Sequence, residues 1–162
     1  MATGIVHFRV DDRMIHGLVA TAWVPSFKCT RVMAVVDAAS SKNDLMRQSL
    51  KMACPAGVAL SVLDPEKASG NINNGNYAAQ RVFVVCRYIE YAYQLFKAGV
   101  EMPQLNLGNV TQNKGETTTL DKTVRVSAEE KAMLKEMAEG GVKITVALTP
   151  QDTQVDVKDL LG

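Results

Sequence analysis

A chain of 162 residues, 47% apolar and 22% charged, is long enough to bury a core as one domain over 1–162 without metals or crosslinks, and its composition excludes a disordered or fibrous protein. With 18 basic against 17 acidic residues the formal charge is +1, so nothing draws the whole molecule to nucleic acid or anionic lipid, and any charged site is local. The 3 cysteines, Cys29, Cys54 and Cys86, form no CxxC pair and read as reduced core thiols; no secretory leader and no bilayer-length apolar run is visible, which makes the reading cytoplasmic.

Residues 4–10 are apolar and β-branched enough for a strand that stops at Asp11-Asp12-Arg13, and residues 18–24 read as helix. His16 therefore falls in a strand-to-helix turn. A second strand over 31–37 is followed by Ser41-Lys42-Asn43-Asp44, a capping-box pattern expected to start a helix running to Ala53. Residues 59–63 form a third strand. Asp64-Pro65-Glu66 then supplies a cap and a first-turn proline for a short helix, followed by an Asn/Gly-rich surface loop over 70–76. The continuous apolar run 81–86 is typical of a strand buried on both faces, and a helix over 88–98 closes at Gly99. A short strand over 104–107 leads to a polar loop over 111–121 and a strand over 123–126. Ser127-Ala128-Glu129-Glu130 caps a helix that Gly140-Gly141 ends, and a last strand spans 142–148.

This alternation predicts an α/β, doubly wound, mainly parallel sheet with helices on both faces. In such sheets ligands bind beyond the carboxyl ends of the strands. The loops that collect there are 11–17, 37–43, 86–87 and 106–111; the strand order, which the sequence leaves open, decides which of them meet.

The segment Arg9-Val10-Asp11-Asp12-Arg13-Met14-Ile15-His16-Gly17 sets a histidine among two arginines and two carboxylates. A neutral imidazole is nucleophilic near pH 7 and can hold a phosphoryl group on a nitrogen that later leaves. Arginine forks bind phosphate oxygens in pairs, a role that suits Arg13 and Arg9. A carboxylate bonded to one ring nitrogen, from Asp11 or Asp12, would fix the tautomer and leave the other nitrogen free to attack. Gly17 lets the backbone approach a bound phosphate at the following helix N-terminus.

The same segment resembles the hallmark of the IIB components of the mannose/fructose/sorbose family of the bacterial sugar phosphotransferase system (PTS). The likeness continues through Val35-Val36-Asp37, residues 53–58, Ala98-Gly99-Val100, Asn106-Leu107-Gly108-Asn109, the Lys114-Gly115 loop and Gly141-Val142. It implies a carrier, cytoplasmic and peripheral to the membrane transporter, that takes a phosphoryl group from the phosphohistidine of a IIA protein. The group then passes to a sugar held by membrane IIC and IID subunits. The resemblance also implies phosphorylation on the ring nitrogen nearest the main chain, with no metal or organic cofactor. It carries over His16 as the phosphohistidine and Arg13 as its phosphate-binding neighbour, with Asp11, Asp37 and Asn106 as members of the site. Leu18 stands where relatives usually have Gln, and Ala38 where they have a second acid. Gly108-Asn109 is more similar to the amino-sugar branch than to the Gly-Gly form of mannose and sorbose members. The sugar, the cognate IIA and homo-oligomerisation stay open.

His7, sharing a strand face with Ile5 and Arg9, reads as a packing histidine, and Trp23 with Phe27 as core. The rival reading is an aspartyl-phosphate receiver-like signalling domain, since Asp11-Asp12 end the first strand and Asp64 the third. Asn106 stands where a receiver needs lysine, and Cys86-Arg87 where it needs a hydroxyl. Nucleotide-binding glycine motifs are absent. Asp11, Asp12 and His16 as metal ligands lack a further histidine nearby.

Overall fold

The computed structural model describes residues 3–111 and 117–158. Its strands are β1 (Ile5–Asp11), β2 (Arg31–Val35), β3 (Ala59–Leu63), β4 (Val82–Cys86), β5 (Gln104–Asn109), β6 (Thr118–Asp121), β7 (Val124–Val126), β8 (Lys143–Val146) and β9 (Val155–Asp156). The helices are α1 (Val24–Ser26), α2 (Ala38–Ser41), α3 (Asp44–Ala53), α4 (Pro65–Asn73), α5 (Ile89–Lys97) and α6 (Ala128–Glu139), and a π-helical stretch, Val19–Trp23, runs into α1. The main sheet has the order β3-β2-β4-β1-β5-β8-β9. All of its pairings are parallel except β8 with β9.

The central place of β4 follows from its sequence. Val82-Phe83-Val84-Val85-Cys86 is buried throughout, as a strand with neighbours on both edges and helices on both faces must be. One face packs Phe8, Val10, Val84 and Leu105 against Ala68 and Ile72 of α4, Leu95 of α5 and Leu134 of α6. The other packs Val32, Phe83 and Val85 against Val19, Trp23 and Leu50. The expected doubly wound α/β architecture is the observed one.

Several local expectations are corrected. Ser41 ends α2 instead of capping the next helix; Asn43 caps α3, its Oδ1 accepting from the Met46 N–H at 2.9 Å. The first four residues of the expected 70–76 loop belong to α4, because Ala68 and Ile72, one turn apart, are buried against the sheet. Residues 118–121, read as loop, pair antiparallel with β7 in a separate two-stranded sheet, so the strand expected at 123–126 does not join the main one. Three consecutive threonines are polar yet β-branched, and Leu120 joins Val124 and Val126 in packing the hairpin against the core. The Lys114-Gly115 loop lies outside the described residues. Asp64 accepts from the Lys67 N–H as the cap of α4. Two strands, β2 and β4, separate β3 from β1, roughly 14 Å at the usual strand spacing, so Asp64 and Asp11-Asp12 do not make the acidic pocket of a receiver.

Candidate functional site

The strand order brings the four candidate loops together. β2, β4, β1 and β5 are neighbours in that sequence, so the loops after them line one end of the sheet. Between β1 and β5 the chain leaves in opposite directions, toward β2 on one side and β8 on the other. Ligands of open parallel sheets bind at such a divergence, and His16 stands next to it, bonded to Asp11 at the end of β1.

The turn that carries His16 begins where the Met14 N–H donates to the Asp11 carbonyl at 2.9 Å. Met14 sits in the left-handed region at φ 61°, a conformation uncommon for a residue with a Cβ. The chain doubles back there and sets the imidazole over Asp11. The ring Nε2 lies 2.9 Å from Asp11 Oδ2. Asp11 has no exposed surface, whereas the His16 side chain keeps 19%. An ionised Asp11 is acceptor only, so a neutral His16 carries its proton on Nε2 and leaves the Nδ1 lone pair free. Burial pushes the Asp11 carboxyl upward, but the His16 hydrogen bond and the Arg9 charge outweigh it, and the group lies below its ordinary range.

Arg13 lies next to Asp11. Its side chain is 45% exposed, its Nε is 3.5 Å from Asp11 Oδ1, and its backbone N–H donates to that oxygen at 3.0 Å. It lines a groove of about 490 Å³ with Met14, Ile15, Leu45, Met46 and Arg87. The helix opens directly after His16, whose carbonyl accepts from the Ala20 N–H at 2.9 Å. The amides of residues 17–19 precede the first such bond, as helix-start N–H groups do.

Five other expected residues take different positions. Arg9 does not offer its fork to a phosphate: it is wholly buried, its Nη2 and Nε donate to Asp11 Oδ2 at 3.1 and 3.3 Å, and its Nη1 donates to the Ala147 carbonyl at 3.1 Å and to Asn106 Oδ1. Asp12 does not hold the imidazole; it accepts from Asn109 Nδ2 at 2.6 Å and from the Thr111 N–H at 2.7 Å, tying the end of β1 to the end of β5. Asp37 caps α2 by accepting from the Ser40 N–H and hydroxyl, and those bonds lower its carboxyl. Gly17 is exposed with open space where a Cβ would stand, so no contact in this structure requires glycine there. Asn106 is central but buried, beneath the site instead of lining it.

Some of the framework was not legible. Val24 N–H bonds to the Val19 carbonyl, one residue beyond the α spacing, and this π turn sets Trp23 with its ring 4.8 Å from the Arg9 guanidinium and its Nε1 donating to the Leu148 carbonyl at 2.7 Å. Arg87 closes the groove from the end of β4, its guanidinium 5.3 Å from the Tyr88 ring. The 86–87 loop was expected at this end of the sheet, but a lone arginine after a buried strand gave no signal that its side chain would wall the groove. Among the described residues no group of three or more His, Cys, Asp or Glu is placed to hold a metal ion, and no helix is long and apolar enough to cross a membrane.

Residues 5–162 match the family described as PTS system sorbose subfamily IIB component. The chain is 31% identical to the sorbose-specific EIIB component of Lacticaseibacillus casei, over 92% of this chain and 90% of that one. It is 29% identical to the mannose-specific EIIAB component of Escherichia coli strain K12 over 95% of its own length but 47% of that protein, so it spans about half of that relative. The solved IIBSor domain of the sorbose permease from Klebsiella pneumoniae superimposes with a TM-score of 0.88 at 27% identity, covering 99% of this chain and 96% of that one.

Proposed function

The chain belongs to the sorbose subfamily of PTS IIB components, and on that premise we propose that its 162 residues act as one domain whose phosphoryl-carrying atom is Nδ1 of His16. One observation carries the reading: Asp11 engages Nε2, which leaves the ring nitrogen nearest the main chain as the nucleophile. In acceptance, the Nδ1 lone pair attacks the phosphorus of a phosphohistidine on a IIA protein, the N–P bond to the donor breaks, and the donor imidazole leaves. In delivery, a hydroxyl of the sugar held by IIC and IID subunits attacks the phosphorus of phospho-His16 and loses its proton to solvent, while the bond to Nδ1 breaks and its electron pair returns to the imidazole. Arg13 and the helix-start amides of residues 17–19 neutralise charge on the transferring oxygens. The name of the mannose relative joins a IIA to a IIB part in one chain, which supports a IIA protein as donor. A carrier of this kind works in the cytoplasm against the membrane subunits.

Incubation with a phosphorylated IIA protein, followed by mapping at neutral to alkaline pH, tests this. The phosphate is expected on His16, labile in acid and stable in base, formed equally in excess chelator, and returned to fresh IIA. Label on Asp12 or Asp64, or undiminished label in His16→Gln, overturns it.

A further inference from the structure

Beneath His16 lies a buried cation, Arg9, that the phosphoryl-carrier reading does not use. Asp11 is fully buried and accepts from the imidazole, yet the cation deepest against it is neither His16 nor Arg13 but Arg9, itself without exposed surface. We propose that Arg9 is a positioning residue for the reactive imidazole: its guanidinium offsets the Asp11 charge, so Asp11 orients the His16 ring without drawing a proton onto Nδ1. Asn106 serves as its uncharged anchor and Gly108 leaves the space it occupies. The proposal rests on the reading of His16 as the carrier.

A buried carboxylate bonded to an imidazole and lacking another cation favours the imidazolium form of its partner. An imidazolium has both nitrogens protonated and no lone pair to attack phosphorus. Orientation and nucleophilicity thus conflict unless a second cation shares the carboxylate. Arg13 is ill placed for this, being 45% exposed with its Nε 3.5 Å away, where solvent screens it. Arg9 meets the same Asp11 oxygen that holds His16, through Nη2 and Nε.

Two neighbours fit that purpose. Asn106 Oδ1 accepts from Arg9 Nη1, which fixes the orientation of the amide and leaves Asn106 Nδ2 buried without a hydrogen-bond partner. A carboxylate there would answer Arg9 more strongly but would divide its charge with Asp11; the neutral amide leaves that charge to Asp11. At Gly108 a Cβ would stand 2.0 Å from Arg9 Nη2 and 2.1 Å from its Cζ, so any side chain displaces the guanidinium. Among the described residues, the other charged groups around the pair are Asp12, held by Asn109 and Thr111, Arg13 of the same loop, and Arg87 beyond β4. His7 of β1 is held neutral by its burial and by Arg9.

The chain has 2 histidines, so an imidazole NMR titration reads His16 directly, with His16→Gln confirming the assignment. Arg9→Met and Asn106→Asp are each expected to raise the His16 midpoint by on the order of one pH unit. Arg9→Lys, which keeps the charge, is expected to leave the midpoint close to that of the natural chain. The acid limb of phosphoryl acceptance from phospho-IIA moves upward with the midpoint, whereas a merely structural role lowers the rate at every pH and leaves the midpoint in place. Where Arg9→Met does not fold, Asn106→Asp decides, since it preserves the side-chain size and the oxygen that Arg9 needs. An unmoved midpoint in a folded variant overturns the proposal. The titration needs no phosphoryl donor, so a His16 that never takes phosphate defeats the carrier reading alone.

Discussion

The first strand and the loop after it each carry one histidine and one arginine, and the two pairs behave in opposite ways. His7 and Arg9 lie inside: the His7 ring stacks 4.9, 4.7 and 5.1 Å from those of Trp23, Phe27 and Phe83, and burial, then the Arg9 charge, push it down to about 3. His16 and Arg13 lie a few residues on, partly exposed, sharing Asp11. Residue type is the same in both places, so chemistry is assigned by surroundings. The inner pair is packed and fixed, and the outer pair has one polar end anchored and the other open to a partner.

Stability against pH is the widest separation between the pairs. An unfolded His7 takes a proton below about 6.5 that the folded protein refuses until about 3, so its contribution is complete above 6.5 and is lost as pH falls through that window. The loss is on the order of 4 kcal/mol, most of it apparent by pH 4. Urea unfolding at pH 7 and pH 4 should show a clearly smaller drop for His7→Phe than for the natural chain. Equal drops would mean that His7 is not held neutral, and the contrast would collapse.

The outer pair is tested by keeping charge and removing shape. Arg13→Lys is expected to slow acceptance from phospho-IIA about a hundredfold, or ~3 kcal/mol of transition-state stabilisation, because an ammonium cannot replace a two-pronged fork. Single-turnover transfer measures it, with unfolding curves unchanged. A natural rate would reduce Arg13 to a surface charge.

A smaller effect sharpens the description of the inner pair. Trp23→Phe keeps a ring near Arg9 and His7 but deletes the donor to the Leu148 carbonyl, at a cost of about 2 kcal/mol in denaturant unfolding. No loss would remove Trp23 as the anchor between the π turn and the end of β8.

These contrasts also mark what the sequence could tell. Strand 59–63, the fully buried run of β4 and the Ser127–Glu130 capping box were legible because periodicity, apolar continuity and cap chemistry are local. The nearness of His16 and Arg13 to a carboxylate was legible on motif and residue type, and both contact Asp11. Arg9 was assigned the wrong neighbour because one-dimensional proximity to His16 hides the alternation of a strand, which points residue 9 into the core beside Asn106 of β5. Asp12 followed the same logic in reverse, turned toward Asn109 and Thr111. The π turn and the left-handed Met14 had no signature, since both are imposed by tertiary contacts against local preference.

The bonds that hold the site reach far along the chain: Arg9 to Ala147 spans 138 residues and Trp23 to Leu148 spans 125. Contacts of such separation form slowly, and a parallel sheet cannot close them early. On the ribosome His16 is made well before the segment after β8, yet its clamp is completed only when that segment has emerged. Until then the chain has His16 without the clamp that fixes Arg9 and Asp11 beneath its ring, so the geometry of the site is among the last features of this fold to form.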